Sequence, residues 1–507
     1  MAGPVESYSL VDQLPALQVV VPLVAAPVTI LMPKGRVPWA WASLVAAATF
    51  AISLALLHQV AAYGPISYEL GGWAPPWGIE YRVDLANALV LTLVSGVAAF
   101  VFPYSYRSVI SEIDENQLPL FYAALLICMT GLLGVAITGD AFNVFVFLEI
   151  SSLSTYALVA MGGRHDRRAL HSAYNYLVMG TIGATFFVIG VGLLYAATGT
   201  LNMADMHDKL AGMETRVVEA GFAFIVVGIG LKLAMFPLHL WLPNAYAHAP
   251  SAVSAFIAAT STKVAVYVIV RFLFTVFYTD SSFEQAALSY VILPLGVVGM
   301  FAASLVAVFQ SDVKRMLAYS SVAQIGYMLL GIGLGSVDGV SAALVHLVNH
   351  ALMKAALFMA VGAVMLRLGS RHCDAFAGLA KRMPWTAAAF IISGLSLIGV
   401  PATVGFISKW QLLKASFGGD AAWAGFLIVA SSLLAVIYIG RIIELMVLRE
   451  PPTEGPHAKP VAEAPLEMLL PMWALVAANV YFGLNTELTA SLAMRAAEAL
   501  FGVGGGQ

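Results

Sequence analysis

Charge is what this sequence has least of. Only 10% of its 507 residues are Asp, Glu, Lys or Arg, and 60% are apolar, whereas soluble domains carry about a quarter charged residues. So little charge excludes an ordinary soluble enzyme or binding domain. Cysteine is nearly missing as well. Cys128 and Cys373 fall in or near apolar segments and form no paired motif, which argues against a disulfide scaffold or a metal cluster. The many glycines form no P-loop and no dinucleotide fingerprint; they allow close helix approach instead. No cofactor, metal or nucleic-acid partner is expected, and a formal net charge of −3 points to no partner of its own. The amino terminus lacks the basic region of a cleavable signal, so its first apolar run is read as a retained span.

Long apolar runs fill the space that charge leaves. Runs of about 18 residues or more, each able to span the hydrocarbon, recur from end to end, and about fourteen can be counted. The expected fold is an all-α polytopic membrane protein with about 14 transmembrane helices. No soluble domain fits, because the longest polar connections lie near 61–82, 198–215 and 449–464. The last contains Pro451, Pro452, Pro456, Pro460 and Pro465 and reads as a stiff link. Loop cations collect on one side, among them Lys34, Arg107, Arg164, Arg168, Lys314, Arg371, Lys381 and Lys459. The other side has Arg82, Lys209, Arg216 and Arg495. That bias predicts a cytoplasmic first side, with both termini outside the cytoplasm.

The few remaining charges sit where they cost most. Lys232, Lys263, Arg271, Lys354, Lys409, Lys414 and Arg441 fall inside apolar spans, joined by Glu149, His346 and His350. A charge at bilayer depth costs a few kcal/mol, so such residues usually face a polar interior and mark an ion path. Two spans read as broken. In the seventh, near 216–236, Lys232 precedes Phe236-Pro237-Leu238-His239-Leu240-Trp241-Leu242-Pro243; in the twelfth, near 386–408, Gly399, Pro401 and Gly405 crowd before Lys409. Paired interruptions of this kind point to an inverted-repeat transporter, although prolines in membrane helices also merely kink them.

In the eleventh span His346, His350 and Lys354 recur at i, i+4 and i+8, one helix face over about 12 Å. Neutral imidazole accepts at one nitrogen and donates from the other, so the row can form a proton wire; buried histidines bonded to carbonyls are the plainer alternative. Lys263, Tyr267 and Arg271 repeat the spacing in the eighth span. A buried lysine can be moved in and out of charge by a mobile carboxylate, whereas Arg271 cannot discharge and is expected to snorkel or pair structurally. Glu149 is the available carboxylate, preceded by Asp140 and Asn143 and followed by Ser151, Ser152, Ser154 and Thr155; a structural ion pair is its alternative role. Lys414 and Arg441 lie toward helix ends and can snorkel. Asp312, Lys314 and Arg315 read as an orientation anchor at the surface.

These residues also carry a resemblance. Asp312-Val-Lys314-Arg315-Met-Leu-Ala-Tyr319-Ser320-Ser321-Val-Ala-Gln324-Ile-Gly326-Tyr327 resembles a signature of the proton-translocating antiporter-like subunits shared by respiratory complex I and Mrp-type cation/proton antiporters. So do Lys232 with Phe236 to Pro243, and Asn349-His350-Ala-Leu-Met-Lys354. The resemblance covers about residues 80–450. Gly139 to Glu149 and Thr198 to Asp205 are similar to the D-type Mrp chain, and so is Lys409 in Gly405-Phe-Ile-Ser-Lys409. Phe-Ile-Ser-Lys in place of Phe-Ile-Gly-Lys, and the Arg441-Ile-Ile-Glu444 stretch, leave a hydrogenase-linked or other energy-converting relative open.

The resemblance implies two inverted five-helix repeats, helices 4–8 and 9–13, each with a broken helix. The expected divisions are 1–117, 118–278, 287–448 and 465–507, the last holding the fourteenth helix and a tail. It implies that Glu149 and Lys232 form a coupling pair, that Lys263 with His346, His350 and Lys354 forms a central polar axis, and that Lys409 is the exit-side lysine. Asp140, His239 and Tyr267 are expected in support. The function expected is that of the proton-translocating subunit of a multisubunit sodium/proton antiporter in the plasma membrane, working with other membrane subunits. The alternative is the proton-pumping subunit of a complex I-like quinone reductase or membrane-bound hydrogenase. In either case the redox or catalytic chemistry, if any, belongs to other chains.

Overall fold

A computed structural model describes residues 10–164, 166–277, 281–419, 421–452 and 461–502. Pro456, Lys459 and Pro460 of the proline-rich connection lie outside the described residues, as do the ends of the first and last expected divisions and residue 278, where the second ends. The chain is a nearly all-helical, multi-pass membrane protein. Among the described residues, eleven helices are long and apolar enough to cross a membrane by length and composition. Helices dominate because no water reaches the hydrocarbon, so each spanning segment must satisfy its own backbone.

Burial sorts the helices into an inner group and an outer group. Ser251–Arg271 and Val313–Gly333 are buried along nearly their whole length. The 32-residue helix Val337–Leu368 packs against both, and also against Leu85–Glu112, Val404–Phe417 and Leu466–Leu484. Arg168–Thr198 and Ala422–Leu448 lie at the periphery and expose Tyr174, Ile182, Phe426 and Leu433. Large apolar side chains thus cover the outer helices, while Lys232, Lys263, Lys354 and Lys409 are buried among the inner ones.

Both expected interruptions are present. Arg216–Lys232 ends at its lysine, and the path resumes as Trp241–His248. Pro384–Ile398 stops before Gly399, and Val404–Phe417 continues it. Each break holds one alanine in the left-handed region, Ala234 (φ 59°) and Ala402 (φ 68°). A break frees backbone groups that must find partners at that depth. Protein supplies them: Trp241 Nε1 donates to the Leu231 carbonyl at 2.9 Å, and Lys409 Nζ donates to the carbonyls of Leu397 and Ile398 at 3.0 and 2.8 Å.

The second break closes so tightly that only glycine fits at position 405. A Cβ there would stand 1.8 Å from the Ser396 carbonyl oxygen, while the Gly405 N–H donates to Ser396 Oγ at 3.2 Å. Gly405→Ala should therefore lower stability by about 1–3 kcal/mol through overpacking. Thermal melting of the purified assembly in detergent checks this; an unchanged midpoint would mean that the break has room to spare.

Three stretches read as connections or tail are ordered elements. Residues 61–82 contribute most of an antiparallel hairpin, Ile66–Glu69 with Glu80–Val83, and 198–215 contain the helix Met203–Leu210. The tail after the last span forms Glu487–Leu500, which buries Ala493, Ala496 and Ala497 and packs against Leu85–Glu112 and Val337–Leu368. These pieces are short and amphipathic, so a search for long apolar runs passes over them.

Candidate ion-translocation site

Lys232 ends its helix at the first break, and Glu149 lies in the middle of Ala141–Ala160. Their side chains meet: Lys232 Nζ is 3.2 Å from Glu149 Oε1 and donates to Ser152 Oγ at 2.7 Å. Lys232 is buried, whereas Glu149 retains 22% of its side-chain exposure. The carboxylate is therefore the more open member of the pair. Ser152, three residues on from Glu149, faces the same side of its helix and supplies the second contact.

The axis runs on through fully buried side chains. Lys263 Nζ donates to the Ala258 carbonyl one turn back on its own helix. Lys354 Nζ donates to Leu317 O and Ser320 Oγ at 2.7 and 2.5 Å, which ties Val337–Leu368 to Val313–Gly333. His350 and His346 stack with ring centroids 6.0 Å apart and planes 7° from parallel. His346 Nδ1 bonds Ser408 Oγ at 2.8 Å; its Nε2 and both nitrogens of His350 make no hydrogen bond among the described residues. Ser408 is the neighbour in sequence of Lys409. Lys409 Nζ caps the end of Pro384–Ile398, where the helix dipole is negative, and lies 5.0 Å from the Tyr327 ring centre. Its two hydrogen bonds go to backbone carbonyls rather than to a carboxylate.

The remaining expected residues divide. His239 lies inside the first break, stacked on Phe236 at 5.2 Å and edge-on to Tyr319 at 6.3 Å, so it links the break to Val313–Gly333. Tyr267 donates its hydroxyl to Ala136 O at 3.0 Å. Asp140 is not part of the axis. It caps Ala141–Ala160 by accepting from Asn143 N at 2.7 Å, nine residues and about 13 Å along the helix from Glu149. Arg271 pairs with Asp84. Lys414 and Arg441 are exposed, and Arg441 reaches the carbonyls of Val308 and Gln310.

Known proteins resemble this chain in sequence and in fold. The family described as NADH:quinone oxidoreductase/Mrp antiporter, TM, matches residues 138–437. The chain belongs to that family. It is 41% identical over 489 residues to the N-type chain of the NADH-quinone oxidoreductase of Desulforudis audaxviator, a match covering 94% of this chain and 96% of that protein. It is 31% identical over 493 residues to the D-type chain of the Na(+)/H(+) antiporter of Bacillus subtilis, covering 96% of each. A chain of the solved Mrp complex from Dietzia sp. DQ12-45-1b superimposes with a TM-score of 0.89 at 27% identity, over 97% of this chain and 98% of that one.

One group of this family member escaped the sequence reading. A polar cavity of about 690 Å³ opens on the face that carries Arg164 and Arg168, and Glu112, Asp166, His248, Asp312, Lys314 and Arg371 line it. Lys314, assigned above to a surface anchor, is buried (1% exposed) and donates to Ala249 O at 3.0 Å. Arg371 bridges Asp166 and Asp312 and donates to the Ala247 carbonyl. Glu112 accepts from Ser251 N at 2.9 Å. Three separate elements thus grip the corner Ala247–Ser251, which follows the first break. Hydrogen bonding to Arg168 holds the Asp166 carboxyl well below the usual carboxylate range. Asp312 and Lys314, in their Asp-Val-Lys-Arg motif, gave a sequence signal; Glu112 reaches the cavity through tertiary packing alone.

Proposed function

We propose that this chain is the proton-translocating subunit of a multisubunit sodium/proton antiporter. The observation that carries the reading is the line of titratable side chains between the two broken helices, all buried except partly exposed Glu149: Glu149 with Lys232, then Lys263, Lys354, His350, His346 and Lys409. Each is a group that can gain and lose a proton, and each is held within an otherwise apolar interior, where such groups persist for function. The Bacillus subtilis relative, whose name is that of a Na(+)/H(+) antiporter, supports the choice of sodium. In this reading, movement of Glu149 toward or away from Lys232 changes how readily that lysine holds its proton, and the histidine row passes the proton on toward Lys409. His239 and Tyr267 support the relay, and Asp140 supports it indirectly by fixing the start of the Glu149 helix.

The proposal extends to architecture and placement. Helices 4–8 and 9–13, residues 118–278 and 287–448, form two inverted repeats, flanked by 1–117 and 465–507. The chain sits in the plasma membrane with both termini outside the cytoplasm and the large polar cavity facing the cytoplasm, where the loop cations collect. It works beside other membrane subunits and carries no catalytic centre of its own. The 41% identity to a chain of an NADH-quinone oxidoreductase favours a second reading, the proton-pumping subunit of a complex I-like quinone reductase or membrane-bound hydrogenase.

The deciding experiment uses the purified assembly in proteoliposomes with an imposed pH gradient. Added sodium should collapse the gradient with no electron donor present. If sodium has no effect and a reduced donor with its acceptor builds the gradient instead, the second reading replaces the first.

A further inference from the structure

We infer that Arg271 and Asp84 form a fixed-charge barrier that closes the polar axis on the face carrying the hairpin. Lys263, Tyr267 and Arg271 occupy successive turns of one buried helix face, so they form the path from the axis to that face. A proton leaving Lys263 in this direction would meet Tyr267. Its hydroxyl proton is committed to Ala136 O at 3.0 Å, and its oxygen accepts from Arg271 Nε at 3.0 Å. Arg271 is a donor only and does not discharge in proteins, so the chain of hydrogen bonds has no acceptor to continue it.

The surrounding structure holds this group rigidly. Arg271 Nη1 and Nη2 contact Asp84 Oδ2 and Oδ1 at 2.7 and 2.8 Å, a two-point grip. Asp84 is itself fixed as the cap of Leu85–Glu112, accepting from Asn87 N at 3.1 Å. Beyond the pair lies a space of only about 20 Å³, lined in part by Glu80, Arg82, Thr138 and Thr275, room for about one water. Glu80 is held in place there, since Ser67 and Asn202 donate to its two oxygens at 2.6 and 2.8 Å. The opposite face has the 690 Å³ cavity. The axis is therefore shut on the hairpin side, which forces a proton near Lys263 to continue toward Lys354 and the histidines. This inference rests on the proton-relay reading above.

Passive proton leak tests it independently of exchange. The purified assembly is placed in proteoliposomes with potassium and valinomycin to clamp the potential, without sodium or electron donor, and the decay of an acid pulse is followed. The double variant Asp84→Asn/Arg271→Gln removes both charges without stranding either. Its leak should exceed the wild type's by roughly tenfold or more, because neutral side chains that can rotate or admit water replace a donor-only group locked in place. Adding Lys263→Ala should abolish the increase. Arg271→Lys keeps the pair but can give up its proton, so it should leak to a smaller extent. Wild-type tightness in the double variant or in Arg271→Lys overturns the barrier, as does a leak indifferent to Lys263→Ala. Absence of sodium exchange in the wild-type assembly, with the variants leaking as expected, would instead count against the antiporter reading alone.

Discussion

Lys232→Ala is expected to abolish coupled transport, with residual exchange at least about a hundredfold below wild type if the relay must pass this lysine. The ammonium sits 3.2 Å from Glu149 and 2.7 Å from Ser152, so the substitution deletes the cation that answers a carboxylate inside an apolar span. Removing one member of such a pair also destabilises the fold, because the other is left unpaired. The comparison that separates these effects is Lys232→Met with Glu149→Gln. That double change removes both charges, keeps the side-chain volumes and strands nothing. If the pair only holds helices together, this variant should transport normally; if the pair couples, it should assemble as well as wild type and fail to transport. Co-purification of partner chains reports assembly, and gradient collapse reports transport. Wild-type exchange in the double variant would reject the coupling role.

Lys409→Arg should be nearly as damaging, although it preserves charge. Lys409 is held by two backbone carbonyls, at 3.0 and 2.8 Å, and not by a carboxylate. The end of Pro384–Ile398 supplies the partial negative charge that a cation needs. An arginine can satisfy those carbonyls, so the second break should stay folded. What arginine cannot do is surrender a proton. The neighbouring Ser408 bonds His346 at 2.8 Å, which puts the lysine beside the end of the histidine row, where a proton has to change hands. Exchange lowered at least about tenfold, with an unchanged melting temperature, is the expected result. Robust exchange in Lys409→Arg would show that a fixed cation suffices and that Lys409 carries no proton.

By itself the sequence determined the class of molecule and the inventory of its chemistry. Hydrocarbon penalises charge wherever it occurs, so apolar runs and the Lys, Glu and His residues inside them stand out without knowledge of any contact. The two breaks were legible for the same kind of reason, since proline and glycine act locally on the backbone. Which residues meet is another matter. Lys232 and Glu149 lie 83 positions apart, and Arg271 and Asp84 lie 187 apart. Helices apolar on every side have no stripe to show which face turns inward, so spacing along one helix could align His346, His350 and Lys354 but could not say what stood across from them. Tertiary packing decided that Asp140 caps a helix while Glu149 faces a lysine. It also buried Lys314, in the first turn of Val313–Gly333, against the Ala249 carbonyl, and it left Lys409 to a helix end rather than a carboxylate. Those outcomes depend on the distance between elements, which no local property of the chain encodes.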